Sequence, residues 1–389
     1  MARGDGEGTI YKRKNGRWCG QITVGTNPKT GKPKRRTFYG DTRKEVAKQM
    51  TEAKHKLMTG TYIEPSNIKL SDWLDKWIEG RKPSIAYSTY SNYKTMIKNH
   101  INPDIGNVKL KDLRARQVQD LLNYKLEKGK TNGKGGLSTR TVKYIYQTLH
   151  AALEQAIKER LIPANICAAV EIPKKQEEKR LHTWSIKEVY KFLEVAKEYR
   201  YYSIYFLALN TGMRRGELLG LKWKDVFIEN KRIEVVRQLA RTNNGLEFKK
   251  VKTEAGNRII PITDDVVKFL KSHRIKQNEN KLALGEAYND KDIVSCSEIG
   301  TPISPRSLLR EFKKIIKAAD LPEIRFHDLR HTFATLFIEA GGPIKTLQQI
   351  LGHSSITVTI DTYSHVTDEM LIEAERKIET MFRIAKNDE

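Results

Sequence analysis

The chain has 389 residues, which is too long for one ordinary hydrophobic core and predicts two or three domains. Its 71 Lys and Arg against 47 Asp and Glu give a formal charge of +24, so the expected partner is a polyanion. Three scattered cysteines form no Cys-x-x-Cys pair, which argues against a disulfide framework and against a zinc site. No apolar run approaches the ~20 residues of a membrane span, and we expect a cytoplasmic protein.

Residues 1–64 predict a small three-stranded β-sheet backed by one helix. Apolar and polar side chains alternate at period two over residues 18–24, and Asn15-Gly16 before them is a hairpin signal. The basic segment 34–39 predicts a third strand. A capping-box pattern that begins at Thr42 predicts the helix, which Gly60 ends.

Residues 65–175 predict an all-helical domain. Apolar side chains recur at helical spacing within segments 70–77, 90–97 and 142–157. The segment 128–136 is rich in Gly and Lys and predicts a loop between two helices.

Residues 176–389 predict a mixed, mainly helical domain with a small β-sheet. The expected helices cover residues 186–193, residues 204–210 and most of the chain from residue 305 onward, and the expected strands cover residues 232–236 and 247–262. In the last of these strand segments we expect a β-hairpin with a tight loop, and Lys252 lies on it. The fold class is therefore multidomain α+β.

Arg214 follows the helix-breaking pair Thr211-Gly212 and opens a new helix. An arginine at this position can direct its guanidinium to a phosphate beside unpaired backbone N–H groups. Glu217 lies three residues later on the same face, where it either orients a catalytic partner or forms a simple ion pair. Taken alone, a solvated Arg214 beside Arg215 is the commoner case.

His327 and Arg330 are three residues apart on a helix whose apolar stripe leaves them on its flank. His331 extends the motif to a His-x-x-x-His pair, which could bind a metal. No third ligand or acidic cluster accompanies this pair, so we expect no metal site. For a single histidine, a buried and hydrogen-bonded ring is the ordinary alternative.

Gly352 is the expected C-terminal stop of an amphipathic helix, which would hold His353 rigidly at that helix end. Tyr363 follows ten residues later, and one tyrosine among 16 proves nothing by its position alone. A set of arginines, histidines and one tyrosine suits a phosphodiester that is attacked by a phenol. Guanidinium groups neutralise the charge that grows on the phosphate, and imidazoles move or share protons.

The order and spacing of these motifs resemble the active site of the tyrosine recombinases, the phage-integrase family, and the resemblance covers nearly the whole chain. The residues that carry it are Arg214, Lys252, His327, Arg330, His353 and Tyr363. It implies a site-specific DNA recombinase that integrates and excises a mobile genetic element through a Holliday junction. It also implies that no cofactor is needed, because two guanidiniums replace a metal and phosphotyrosine conserves the bond energy.

The resemblance assigns a role to each residue of this set. Tyr363 is implied to be the nucleophile that forms a 3′-phosphotyrosine. Arg214 and Arg330 are implied to bind the non-bridging phosphate oxygens. Lys252 is the implied general acid, because a deoxyribose 5′-alkoxide is a poor leaving group. Three further roles are implied, namely a proton acceptor and donor for His327, a hydrogen-bond donor to the phosphate for His353 and an acidic support for Glu217.

The same resemblance divides the chain into an arm-type DNA-binding domain (1–64), a helical core-binding domain (65–175) and a catalytic domain (176–389). Expected DNA contacts are Lys34, Arg35, Arg36 and Arg215. The implied partners are double-stranded DNA at core and arm sites, three further copies of the chain in a tetramer, and an excisionase or host DNA-bending protein. An apolar stripe after residue 367 predicts a terminal helix that docks on the neighbouring protomer, or else folds back on its own domain.

Other functions remain open at this point. A Xer-like resolvase or a type IB topoisomerase shares the chemistry, and the topoisomerase would relax DNA without sequence-specific assembly. A non-catalytic DNA-binding regulator would not need Tyr363. A metal-dependent nuclease would lose its activity in chelator, whereas the phosphotyrosine route would not.

Overall fold

The computed structural model describes residues 8–26, 30–59, 62, 67–173, 182–251 and 254–363. The chain divides into two compact units, Met1–Gln176 and Glu177–Glu389. No helix within the described ranges is long and apolar enough to cross a membrane.

The first unit begins with an antiparallel sheet, whose described strands are β1 (Thr9–Lys12), β2 (Trp18–Thr26) and β3 (Pro33–Gly40), in that order. Helix α1 (Arg43–Met58) follows, and its N-cap Thr42 accepts a hydrogen bond from the backbone N–H of Glu45 at 3.2 Å. Ile22 and Phe38 of the sheet pack against the buried face of α1. The predicted sheet and its capped helix are confirmed, and Gly60, the predicted end of that helix, lies outside the described residues.

The rest of the first unit is helical, as predicted. Its helices are α2 (Leu70–Arg81), α3 (Tyr87–Met96), α4 (Asn102–Ile105), α5 (Ala115–Lys128) and α6 (Thr139–Lys158), with a π-helical turn over Ile97–Ile101. They enclose a hydrophobic core separate from that of the sheet. Trp73 in this core donates its indole N–H to the carbonyl oxygen of Ala152 at 3.0 Å, which joins α2 to α6.

The second unit is mixed. Its helices are α7 (Ile186–Ala196), α8 (Tyr202–Thr211), α9 (Arg215–Gly220), α10 (Asp264–Leu284), α11 (Pro305–Ala318), α12 (Asp328–Glu339), α13 (Ile344–Leu351) and α14 (Ile356–Tyr363). Its described strands are β4 (Val226–Phe227), β5 (Arg232–Val235), β6 (Arg237–Thr242), β7 (Gly245–Lys250) and β8 (Arg258–Pro261). Helix α8 is apolar on nearly all sides and lies in the core, where Tyr205 packs against Phe192, Phe312 and Phe326.

The predicted hairpin over residues 247–262 is wrong. Strand β7 pairs with β6, whereas β8 pairs with β5 in a sheet of order β4-β5-β8. The turn that joins β6 to β7 contains Gly245 at φ +107° and a hydrogen bond from the Asn244 N–H to the Thr242 hydroxyl at 3.1 Å. Burial of Ile260 opposite Ile233 accounts for the pairing of β8 with β5. The segment around Lys252 therefore connects two sheets.

Candidate active site

A tight turn between α8 and α9 positions the first arginine. Gly212 ends α8 in the left-handed conformation, at φ +61°. A Cβ atom there would lie 2.5 Å from the ring of Phe333, so glycine is required for both reasons. The turn makes Arg214 the N-cap of α9, and its backbone N–H donates to Glu217 Oε2 at 2.9 Å.

Three arginines converge on the end of α13. The carbonyl oxygens of residues 350–352, here called the α13 carbonyl end, accept hydrogen bonds in order from Arg258, Arg330 and Arg214. The last four carbonyls of a helix have no partner within it and carry the negative end of the helix dipole. The negative helix end stabilises nearby cations, and each of the three guanidiniums donates a hydrogen bond to one of the carbonyl oxygens.

The second predicted arginine, Arg330, is buried, with 3% of its surface exposed. Besides the α13 carbonyl end, its guanidinium donates to the carbonyl oxygen of Gly212 at 2.8 Å. Arg330 therefore links α12, the α8–α9 turn and α13. Arg214 is more open, with 38% of its side chain exposed.

Glu217 is buried between two arginines. Arg214 Nη1 donates to its Oε1 at 2.9 Å, and Arg258 donates to Oε1 at 3.1 Å and to Oε2 at 2.8 Å. Burial alone raises the pKa of this carboxyl, but the hydrogen bonds and charge of Arg258, with Arg214, outweigh that effect and hold the pKa below its usual value. Glu217 is therefore a carboxylate.

His353 follows directly after the α13 carbonyl end, where Gly352 adopts φ +64°. Its Nδ1 lies 2.9 Å from the hydroxyl of Thr359 in α14. Burial, followed by the positive charges of Arg330 and Arg214, lowers the pKa of His353 to about 4. The ring is therefore neutral at neutral pH.

His327 is the N-cap of α12 and meets the ring of His331 edge to face, with 5.1 Å between centroids. Burial, followed by His331 and the charge of Arg330, lowers the pKa of His327 to about 4. The start of α12 is fixed by Asp328, which accepts from the Arg325 guanidinium at 2.7 and 3.0 Å. The His327 ring is therefore neutral at neutral pH, and a neutral imidazole can accept a proton.

Comparison with known proteins agrees with this arrangement. Residues 179–370 match the phage integrase family, and residues 69–126 match the phage integrase N-terminal SAM-like domain. A protein named "Tyrosine recombinase XerC-like", from Caldanaerobacter subterraneus subsp. tengcongensis, is 31% identical over 392 residues, which cover 95% of this chain and 98% of the relative. This chain belongs to the phage integrase family.

Solved structures of integrases share the fold. The Tn1549 transposon integrase, in complex with transposon right end DNA, matches with a TM-score of 0.64 and 24% identity over 79% of this chain and 99% of that one. A lambda integrase tetramer bound to a Holliday junction matches with a TM-score of 0.56 and 23% identity over 93% of this chain and 96% of that one.

Because the chain belongs to this family, it is an enzyme that cleaves and rejoins DNA in site-specific recombination. The predicted recombinase activity and the predicted multidomain α+β class are confirmed.

One site residue was missed from the sequence. Arg258, the first residue of β8, has a side chain only 6% exposed and makes three hydrogen bonds besides its contact with the α13 carbonyl end. Two of these go to Glu217 and one goes to the carbonyl oxygen of Gly256 at 3.2 Å. The sequence signal for it was an arginine at the start of the short apolar strand segment 258–261, in which Ile260 is buried.

Two predicted catalytic residues are described only in part or not at all. Lys252 lies outside the described residues, between Val251 and the turn at Glu254–Gly256. Tyr363 is the last residue of α14, and only its backbone position is described. The predicted terminal helix beyond it also lies outside the described residues. Arg214, His327, Arg330, His353 and Glu217 all lie at the site described above.

The predicted DNA-contacting residues lie in both units. Strand alternation in β3 puts Arg35 and Arg36 on opposite faces of the sheet. The Arg36 guanidinium lies over the ring of Phe38 at 5.0 Å and donates to the Tyr62 hydroxyl at 3.1 Å. Lys34 and Arg35 are exposed, and the fourth residue, Arg215, is half-buried in the first turn of α9. Arg35 is therefore the better placed of the two arginines for an external partner.

In the part of the chain that the structure describes, no three His, Cys, Asp or Glu side chains are grouped so that they could hold a metal ion. His327 and His331 form a pair without a third ligand there. The site presents guanidinium groups and imidazole rings to a substrate, and this combination suits a phosphodiester.

Proposed function

We propose that this integrase cuts one DNA strand by attack of the Tyr363 phenol on a phosphodiester. The bond from phosphorus to the tyrosine oxygen forms while the bond from phosphorus to the 5′ oxygen breaks. The departing 5′ oxygen takes a proton from Lys252, and the strand end stays attached as a 3′-phosphotyrosine. Attack by the 5′ hydroxyl of a partner strand then releases the tyrosine and restores a phosphodiester.

The main structural support for this proposal is the α13 carbonyl end. It holds the guanidiniums of Arg214 and Arg330 in fixed positions through two consecutive carbonyl oxygens. Both arginines are thereby preorganised for the non-bridging oxygens, whose negative charge grows in the transition state. Donors that need no reorganisation stabilise such charge most effectively.

The two imidazoles complete the site. A neutral His327 can accept the proton of the attacking phenol and return it during rejoining. The Thr359 hydroxyl can donate to Nδ1 of His353, which leaves the Nε2–H of that ring as a hydrogen-bond donor to the phosphate. Both roles follow from rings that are uncharged before reaction.

We further propose that segment 1–64 binds arm sites through the open face of its sheet, which carries Arg35. Segment 65–175 and the catalytic unit would hold the core site. Four exposed cations on α11 would contact the phosphates of the core site, namely Arg306, Arg310, Lys314 and Lys317. Four protomers would exchange strands in the cytoplasm, with the terminal helix docked on a neighbour and an excisionase or DNA-bending protein setting the direction.

The nucleophile is tested with Tyr363→Phe on a nicked duplex that carries the junction sequence recovered from recombined DNA. The variant should bind this duplex and form no covalent adduct on a denaturing gel. Tyr190→Phe is the matched control, because Tyr190 is an exposed tyrosine of α7 in the same unit. An adduct with the first variant would overturn the assignment.

The division of labour is tested with protein lacking residues 1–64. It should still form the adduct on core-site DNA but lose arm-site binding at one fixed salt concentration. A Xer-like resolvase is the second candidate, which the XerC-like name of the relative favours. Full recombination by the shortened protein on core sites alone would support that candidate.

A further inference from the structure

Arg258 is the third arginine of the site, and its surroundings differ from those of the other two. Its Nη1 and Nη2 donate to the two carboxylate oxygens of Glu217 at 3.1 and 2.8 Å. This is the two-pronged geometry in which arginine binds a carboxylate most strongly. The Arg258 side chain is 6% exposed and that of Glu217 is 3% exposed, so water screens the pair little.

Counting charges shows what Arg258 contributes. Glu217 also accepts from Arg214, so one carboxylate lies between two guanidiniums. Without Arg258, the single charge of Glu217 would neutralise that of Arg214. With Arg258 present, the three groups together keep a net charge of +1, on the side where Arg214 is the more exposed cation.

We propose that Arg258 is a positioning residue that takes up the charge of Glu217 and thereby leaves Arg214 cationic toward the scissile phosphate. The proposal rests on the function proposed above. Glu217 can then orient Arg214 through a hydrogen bond without cancelling the charge that the reaction needs. Arg258 itself touches neither the phosphate nor the nucleophile in this scheme.

The position of Arg258 in the fold gives it a second effect. It is the first residue of β8, directly after the connecting segment that contains Lys252. Its Nε donates to the α13 carbonyl end, and a further N–H donates to Gly256 at 3.2 Å. Arg258 therefore links Gly256, which lies in the connection between β7 and β8 that contains Lys252, to the α13 carbonyl end, which also binds Arg214.

The test compares single-turnover cleavage by Arg258→Met, Glu217→Gln and the double variant on the nicked junction duplex. Arg258→Met should cleave about 100-fold more slowly than the unaltered protein, which is the usual loss when one charge-stabilising donor fails. Its affinity for the duplex should stay close to that of the unaltered protein. Arg232→Met is the matched control, because Arg232 pairs with Glu234 in the same sheet but is 40% exposed.

The double variant distinguishes charge compensation from simple packing. With Glu217 neutral, Arg258 has no charge to take up, so the double variant should cleave at most about tenfold more slowly than Glu217→Gln alone, and this remaining loss reflects the hydrogen bonds of Arg258 to the α13 carbonyl end and Gly256. It should also cleave about tenfold faster than Arg258→Met, since residues in one network couple strongly. A double variant that cleaves far more slowly than Glu217→Gln overturns the proposal, even if Arg258→Met does not fold.

Arg258→Lys gives an independent check, because lysine keeps the positive charge and loses the planar fork. It should cleave faster than Arg258→Met, and a rate equal to that of Arg258→Met contradicts the charge argument. Failure of the proposed function would look different. In that case the unaltered protein would form no adduct, or Tyr363→Phe would form one, whatever residue stands at position 258.

Discussion

The hydroxyl of Thr359 lies 2.9 Å from Nδ1 of His353, and this hydrogen bond ties the histidine to α14, the helix that ends at Tyr363. Thr359 is fully buried and stands four residues before the tyrosine, one helical turn away. The partner of one ring nitrogen decides whether the other carries the proton. Thr359 therefore fixes the orientation of the imidazole, and in the proposed mechanism its hydroxyl donates to Nδ1 so that the Nε2–H is left for the phosphate.

Thr359→Val should slow adduct formation about fivefold, because one net hydrogen bond of about 1 kcal/mol no longer orients the ring. Thr359→Ser keeps the hydroxyl and should stay near the unaltered rate. Both rates are measured on the nicked junction duplex at saturating protein. Equal rates for Val and Ser would mean that the contact with His353 does not matter for cleavage.

Acidification should destabilise the catalytic unit between about pH 6.5 and 4. Burial lowers the pKa of His327 and of His353 from 6.5 to about 4, so the unfolded chain binds more protons than the folded one in this window. The free energy of unfolding then rises with pH up to about 6.5 and no longer changes through these groups above it.

Urea unfolding at pH 5 and pH 7 measures this effect, with His353→Gln as the comparison. The variant should lose less stability than the unaltered protein on going from pH 7 to pH 5. His55→Gln serves as the control, because His55 lies near the exposed end of α1 in the other unit. If His353→Gln and His55→Gln show the same pH dependence as the unaltered protein, His353 is not neutral in the folded state.

Cations on the exposed face of α11 should contribute to DNA affinity and not to chemistry. Arg310→Ala should weaken binding of the core duplex and reduce the slope of log affinity against log salt by about one, since one phosphate contact is lost. Lys271→Ala, an exposed cation on α10, is the control. A lower affinity with an unchanged salt slope would indicate damage to the fold instead of a lost phosphate contact.

How much of this molecule the sequence could predict depends on the range of the interactions. The Thr42 cap, the glycine stop at Gly352 and the helical spacing are local signals, so the helices they mark were found. The role of Arg258 depends on Glu217, 41 residues away, and on a helix end 92 residues away. No local pattern reports such contacts. The hairpin error has the same origin, because strand pairing between β5 and β8 depends on the burial of Ile260.

Gly352→Ala should impair both stability and cleavage, because the α13 carbonyl end depends on this residue. At φ +64° a Cβ atom is strained, and it would lie 2.6 Å from the carbonyl oxygen of Ala255 and 2.9 Å from Cδ of Arg258. Gly341→Ala is the matched control, since Gly341 has φ +79° and open space where the methyl group of alanine would lie, so only the backbone strain of about 1 kcal/mol applies.

Comparing the two variants therefore separates the effect of backbone strain at a positive φ from the effect of displacing the atoms around Gly352. Gly341→Ala should lower the melting temperature by a few degrees, about 4 °C or less for a unit of this size, and leave the rate of adduct formation unchanged. Gly352→Ala should lower the melting temperature further and slow adduct formation by at least tenfold, about 1.4 kcal/mol, because its methyl group pushes the carbonyls away from Arg214 and Arg330. Equal cleavage rates for the two variants would show that the arginines keep their positions without the α13 carbonyl end.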